Sequence, residues 1–323
     1  MLHKRWKRWT LGTLLVIVIL VVALDVTLRL AFGFGHPLLY ANDADTGYLP
    51  APSQQVDRFG CHNDINSFNM RSPEVLSPKP AGEFRILMIG DSITYGTTYV
   101  NQPEIFTSIL QRDLPARLHR SVEVLNASAG GWAPANELGY LRSRGTFHAN
   151  TVIFVLNTGD LTQPFSPSLV GISPSFPSED PYCALTEIWS RYAMPRLMHI
   201  TVADAGSKAE KPNISRDTPA NLQILGKARS FATDAGADFA IVYVPFNGPD
   251  WAAYAPGLAM LKDWCKTQHI DLVDTTAALA KYPPEQTAFE NGHGHLRPAG
   301  HAIVAGVIAD YLSAHRTTVP STN

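Results

Sequence analysis

A chain of 323 residues with 45% apolar and 17% charged residues has the composition of a globular enzyme, which excludes a disordered tail and a fibrous repeat. The formal charge of −2 is unevenly spread: Lys4, Arg5, Lys7 and Arg8 stand at the N-terminus and leave the remainder acidic. Without a basic surplus to neutralise a phosphate backbone, the chain is not expected to bind nucleic acid.

Residues 11–24 (LGTLLVIVILVVAL) form an apolar run directly behind the basic, aromatic cluster HKRWKRW. Continued through Phe32, the run is long enough to cross a bilayer as one helix. Asp25 and Arg29 stand at i,i+4 spacing near its far end, where they can pair and reach the interface. Residues 1–35 are therefore expected to be a cytoplasmic basic tip and a transmembrane anchor, with the rest of the chain extracytoplasmic, in the periplasm or at the cell surface. A cleaved signal peptide ending near Val21-Val22-Ala23 is the alternative. Cys61, Cys183 and Cys265 are too few and too scattered for a disulfide framework or a zinc ribbon.

Residues 36–80 are rich in Pro, Gly, Asn and Asp without sustained periodicity, and are expected to be an irregular lead-in. Residues 81–323 read as the catalytic domain. Short apolar runs at 84–89 (FRILMI), 122–125, 151–156 (TVIFVL), 239–244 (FAIVYV) and 270–273 predict five buried strands. Helical spacing follows Pro103, involves Trp251, Leu258, Leu261 and Trp264, and recurs after Pro298. Strands alternating with helices predict a parallel sheet in a three-layer α/β/α sandwich. Residues 163–217, rich in Pro and Ser with a helical patch over 185–197, are expected to be an insertion that shapes the site.

The chemistry-bearing residues gather after the predicted strands, at the end where open parallel sheets bind ligands. Gly90-Asp91-Ser92 follows the first strand, Asn126 to Gly131-Trp132 the second, Asn157-Thr158-Gly159-Asp160 the third, and His293-Gly294-His295 precedes the last helix. A nucleophile, a base and oxyanion donors on one rim are what acyl transfer requires. Trp132 stands where it could line a substrate pocket or pack in the core. No metal and no cofactor is called for.

On these residues the chain resembles the SGNH (GDSL-like) hydrolase family, over about residues 81–315. FRILMIGDSITYG resembles that family's first block, which implies Ser92 as nucleophile and as an oxyanion donor through its own N–H. The N-x-x-x-x-G spacing from Asn126 implies Gly131 as a second donor, and His295-Leu-Arg-Pro-Ala-Gly-His301 implies His295 as base. INSFNMRSPEV (65–75) is similar to the lead-in of membrane-anchored members. The implied fold is flavodoxin-like.

Two positions depart from the family pattern. Its third block carries asparagine where Gly159 stands; Asn157, two residues earlier on the same strand face, is the expected substitute donor. Its acid lies three residues before the histidine, where Gly292 stands; His293 cannot serve as an orienting carboxylate, so a backbone carbonyl or Glu290 is left for that role, with Asp91, His293 and Trp132 as further orienting or substrate candidates. The expected activity is serine-dependent ester hydrolysis of a carbohydrate or small acyl ester through a Ser92–His295 acyl-enzyme. Two alternatives remain: O-acyl transfer to a cell-surface polysaccharide, and an anchored glycan-binding module with weakened catalysis.

Overall fold

In the computed structural model, residues 2–197, 213–245, 255–289 and 294–316 are described. The chain begins as one helix, α1 (Leu2–Phe32), in which Trp9–Phe32 is 24 residues long with a mean hydropathy of 2.7.

The segment expected to be irregular contains two β-hairpins. β1 (Tyr40–Asp43) pairs antiparallel with β2 (Gly47–Pro50), and β3 (Gln54–Arg58) with β4 (Cys61–Ile65). These strands escape a periodicity search because they are short and largely polar: β3 buries only Val56 and Arg58, and β4 only Asn63 and Ile65. Local turn chemistry makes them. Phe59 and Gly60 take φ of 53° and 77°, as a two-residue type I′ loop requires. In the other turn, Asp43 Oδ1 accepts from the Asp45 N–H at 3.0 Å and the Thr46 N–H at 2.9 Å. Tyr48, Leu49, Met70 and Val75 join the main core, so this stretch is part of the domain rather than a tether to it.

The domain is the expected three-layer sandwich. β5 (Phe84–Gly90), β6 (Val122–Ser128), β7 (Thr151–Asn157), β8 (Asp238–Val244) and β9 (Asp271–Asp274) form a parallel sheet in the order β6-β5-β7-β8-β9. The strand order reverses about β5, which opens a crevice at the carboxyl ends of β5 and β7. A single turn, α2 (Ser92–Tyr95), follows β5 directly. On β5, Phe84, Ile86 and Met88 pack with α3 (Phe106–Leu118) and the closing helix Pro298–Arg316. Leu87 and Ile89 face the other layer, built from α4 (Pro134–Arg144) and the helices Ile214–Asp234 and Ala255–Gln268. Burial of each such side chain stabilises the fold by about 1.5–3 kcal/mol.

Some boundaries differ from expectation. Pro103 belongs to a 3₁₀ turn, Gln102–Glu104, and extended Ile105 (ψ 147°) separates it from α3. The helix Ile214–Asp234, unmarked in the sequence reading, takes the last four residues of the expected insertion as its first turn. The helical patch there is found as Ala184–Glu187, a π-helical turn Ile188–Ala193, and Met194–Leu197. Trp251 lies outside the described residues. All three cysteines are free thiols.

Candidate active site

Ser92 stands on the turn that leaves β5. Gly90 makes that turn possible, because a Cβ there would lie 2.1 Å from Thr94 Oγ1 and 2.9 Å from the Val155 carbonyl oxygen. Asp91 caps the turn, its Oδ1 accepting from the Ile93 N–H at 2.8 Å. From the far end of the chain, Nε2 of His295 comes to 2.9 Å from Ser92 Oγ. Asp91 Oδ2 lies 3.3 Å from the same hydroxyl, so the single hydroxyl proton has two acceptors in reach and the shorter contact is to the imidazole.

Behind Ser92 the site is held by buried polar groups. Asn126, completely buried, donates its side-chain amide to the Thr94 carbonyl at 2.8 Å and to Thr107 Oγ1 at 3.0 Å. Arg71, from the INSFNMRSPEV stretch, is 1% exposed and donates to the carbonyls of Tyr95, Thr97 and Val100 at 2.8, 2.7 and 2.7 Å and to Gln102 Oε1 at 2.9 Å. This one guanidinium shapes the loop that follows Ser92.

Asn157, the expected substitute donor, is engaged on both ends of its side-chain amide. It is buried, its Nδ2 donates to Asp91 Oδ2 at 2.7 Å, and its Oδ1 accepts from the Gly159 N–H at 2.5 Å. The buried carboxylate next door takes one N–H of that amide. Asp91 in turn braces the turn that carries Ser92, through contacts with Ser92, Ile93 and Asn157. Trp132 is fully buried, with its indole N–H donating to the Tyr48 carbonyl at 2.9 Å and its ring against Tyr140; it is core, not pocket. His301 is also buried, its Nδ1 accepting from the Phe106 N–H at 3.2 Å, and burial holds its pKa down at about 3. Gly130 lines the cleft beside Ser92, while Gly131 follows at φ 79° with its carbonyl accepting from Gln163 and Ser166. Glu290 and His293 lie outside the described residues.

Three carboxyl groups share the low-dielectric space behind Ser92. Burial pushes Asp91 up to about 6, against the hydrogen bonds from Ile93, Ser92 and Asn157. Burial, followed by the charge of Asp91, pushes Glu137 and Asp160 well above the usual carboxylate range. The charged forms of all three are disfavoured together. Sequence spacing could not reveal this set, since Glu137 sits on α4, Asp160 follows β7 and Asp91 follows β5.

The cleft itself, about 330 Å³, is largely walled by segments outside the sheet: Leu38, Tyr40, Arg58 and Phe59 from the lead-in, and Ser175, Phe176, Arg191 and Tyr192 from the insertion. Buried Glu187 ties these two walls together, accepting from Arg58 at 2.7 Å, Arg191 at 2.9 Å and the Gly35 N–H at 2.5 Å. Among the described residues, no three His, Cys, Asp or Glu side chains converge to hold a metal.

A serine and a histidine in contact at the switch point of a 2-1-3-4-5 parallel sheet define a serine hydrolase of the α/β/α sandwich type. The chain belongs to the GDSL-like Lipase/Acylhydrolase family, which matches it over residues 88–303. Similar solved structures include a lipase/acylhydrolase from Enterococcus faecalis (13% identity, covering 72% of this chain and 96% of that one, TM-score 0.46). A member of the lipolytic G-D-S-L family from Veillonella parvula covers 73% and 100% at 14% identity, with a TM-score of 0.43. A catalytic mutant of an acetylxylan esterase from Geobacillus stearothermophilus covers 73% and 95% at 15% identity, with a TM-score of 0.42. No curated protein matches the chain.

Proposed function

We propose that this chain is a membrane-anchored serine esterase that cleaves a carbohydrate or small acyl ester through an acyl-enzyme on Ser92. The observation that carries the reading is the 2.9 Å contact between His295 Nε2 and Ser92 Oγ at the floor of the cleft. His295 takes the hydroxyl proton as Ser92 attacks the ester carbonyl, and returns it to the leaving alcohol. The N–H groups of Ser92 and Gly131 stabilise the oxyanion, without Asn157, whose amide is given to Asp91. Water then releases the acyl group. A polysaccharide hydroxyl in place of water makes the same intermediate an O-acyltransferase, and the site chemistry is common to both.

α1 is read as an uncleaved anchor with its basic end in the cytoplasm and the domain outside, on the length and hydropathy of Trp9–Phe32 and the lysines and arginines before it. A glycan-binding module without catalysis fits less well, because a contacting Ser–His pair serves no binding purpose.

The test is covalent labelling with a fluorophosphonate probe, read by peptide mass spectrometry, beside turnover of a short aryl ester. Stoichiometric labelling at Ser92 and loss of turnover in Ser92→Ala support the mechanism. Full turnover in Ser92→Ala overturns it. Supplying a donor ester with a polysaccharide and asking whether the acyl group appears as free acid or on the glycan separates the two acceptors.

A further inference from the structure

The far end of α1 does not stand clear of the domain. Asp25 Oδ1 accepts from the Leu185 N–H at 3.1 Å, and Arg29 donates to the Tyr182 carbonyl at 3.1 Å and to Asp25 at 2.9 Å. A hydrocarbon core of about 30 Å takes roughly 20 helical residues, so a span counted from Trp9 reaches its far boundary near Leu28. Asp25 and Arg29 bracket that level. The insertion is thus hydrogen-bonded to the helix where the bilayer ends, and Glu187, accepting from the Gly35 N–H at 2.5 Å, fastens it again just past the helix.

Four large side chains of this fastened segment are exposed. Tyr182 is 100% exposed, Trp189 58%, Met194 43% and Leu197 69%. Four exposed large apolar side chains within sixteen residues leave apolar surface in water, whereas Tyr and Trp are amphipathic rings suited to the headgroup level of a membrane. Pairing between Asp25 and Arg29, and their bonds to the insertion backbone, also relieve the cost of two charged groups at that depth.

We propose that residues 182–197 form a second membrane contact, seated in the headgroup layer of the bilayer that α1 crosses. Arg191 and Tyr192 of the same segment line the cleft, so the contact holds one wall of the active site at the lipid surface. The inference rests on the reading of α1 as an uncleaved span.

The full chain is reconstituted in phosphatidylcholine vesicles containing a phosphatidylcholine with a diazirine on its acyl chain near the glycerol, irradiated, and mapped by peptide mass spectrometry. Adducts are expected in α1 and in 182–197, with the helix Ala255–Gln268 unlabelled. Adducts in α1 alone overturn the second contact while leaving the anchor standing. Adducts in neither overturn the anchor and the contact with it. Trp189→Glu with Leu197→Glu is expected to cut the 182–197 adducts at least tenfold with α1 labelling and short-ester turnover unchanged; undiminished adducts in that variant also overturn the proposal.

Discussion

Asn157 donates its side-chain amide to Asp91 at 2.7 Å, on the buried side of the turn that carries Ser92. The asparagine at the end of the third sheet strand therefore reaches Ser92 through its neighbour. Asn157→Ala leaves Asp91 Oδ2 without that donor, and an unmet buried acceptor costs about 1–3 kcal/mol. The unfolding temperature is expected to fall accordingly. A loss of turnover with unaltered stability would instead mark Asn157 as an oxyanion donor.

Asp91 itself makes stability depend on pH. Burial raises it from 3.8 in the unfolded chain to about 6 in the folded one. The folded state thus keeps a proton that the unfolded state releases, and this contribution is fully present below pH 3.8 and lost as pH rises through about 6. At 1.36 kcal/mol per pKa unit the whole change is about 3 kcal/mol. Asp91→Asn removes it, so the stability difference between the variant and the wild type should shift in the variant's favour from pH 4 to pH 7. Parallel melting profiles of the two proteins would contradict this.

Arg71 satisfies three backbone carbonyls and Gln102 with one planar group. An ammonium cannot reproduce that fork. Arg71→Lys should cost about 2–4 kcal/mol, summed from carbonyls left unmet, and lower kcat because the loop carrying Tyr95 and Thr97 loses its shape. Denaturant unfolding and steady-state kinetics on one ester test both effects.

The Arg58–Glu187 pair is 3% and 0% exposed, while Arg117–Asp310 is 44% and 77% exposed. Removing one partner of a buried pair costs about 3–5 kcal/mol; breaking an exposed one costs about 0–1 kcal/mol. Glu187→Ala should therefore destabilise severely and raise KM, since both cleft walls hang on this carboxylate. Asp310→Ala should do neither. Equal effects of the two substitutions would show that Glu187 does not tie the walls.

The five sheet strands were legible because a strand buried on both faces must be apolar throughout, and runs such as FRILMI and TVIFVL are. The closing helix was legible because its apolar residues recur at helical spacing along one face. The hairpins of residues 40–65 were not, because their strands bury few side chains and their polar residues answer to partners far away in the chain. Arg58 belongs to that group: in sequence it is one more charge, and only Glu187 makes it a core residue. Gly47, with φ 78°, and the Phe59-Gly60 pair were the signals that could have found the hairpins.

The sequence by itself determined the class of fold, the length of the first apolar helix, and which serine and histidine to look for at the strand ends, because apolar period and short motifs are local properties. What only the tertiary structure decided is which groups share a space. The contact of Ser92 with His295, the claim of Asp91 on Asn157 and the knot at Glu187 each join segments distant along the chain. Burial then sets their charge and hydrogen bonding, and burial is a property of the packed molecule rather than of any stretch of it.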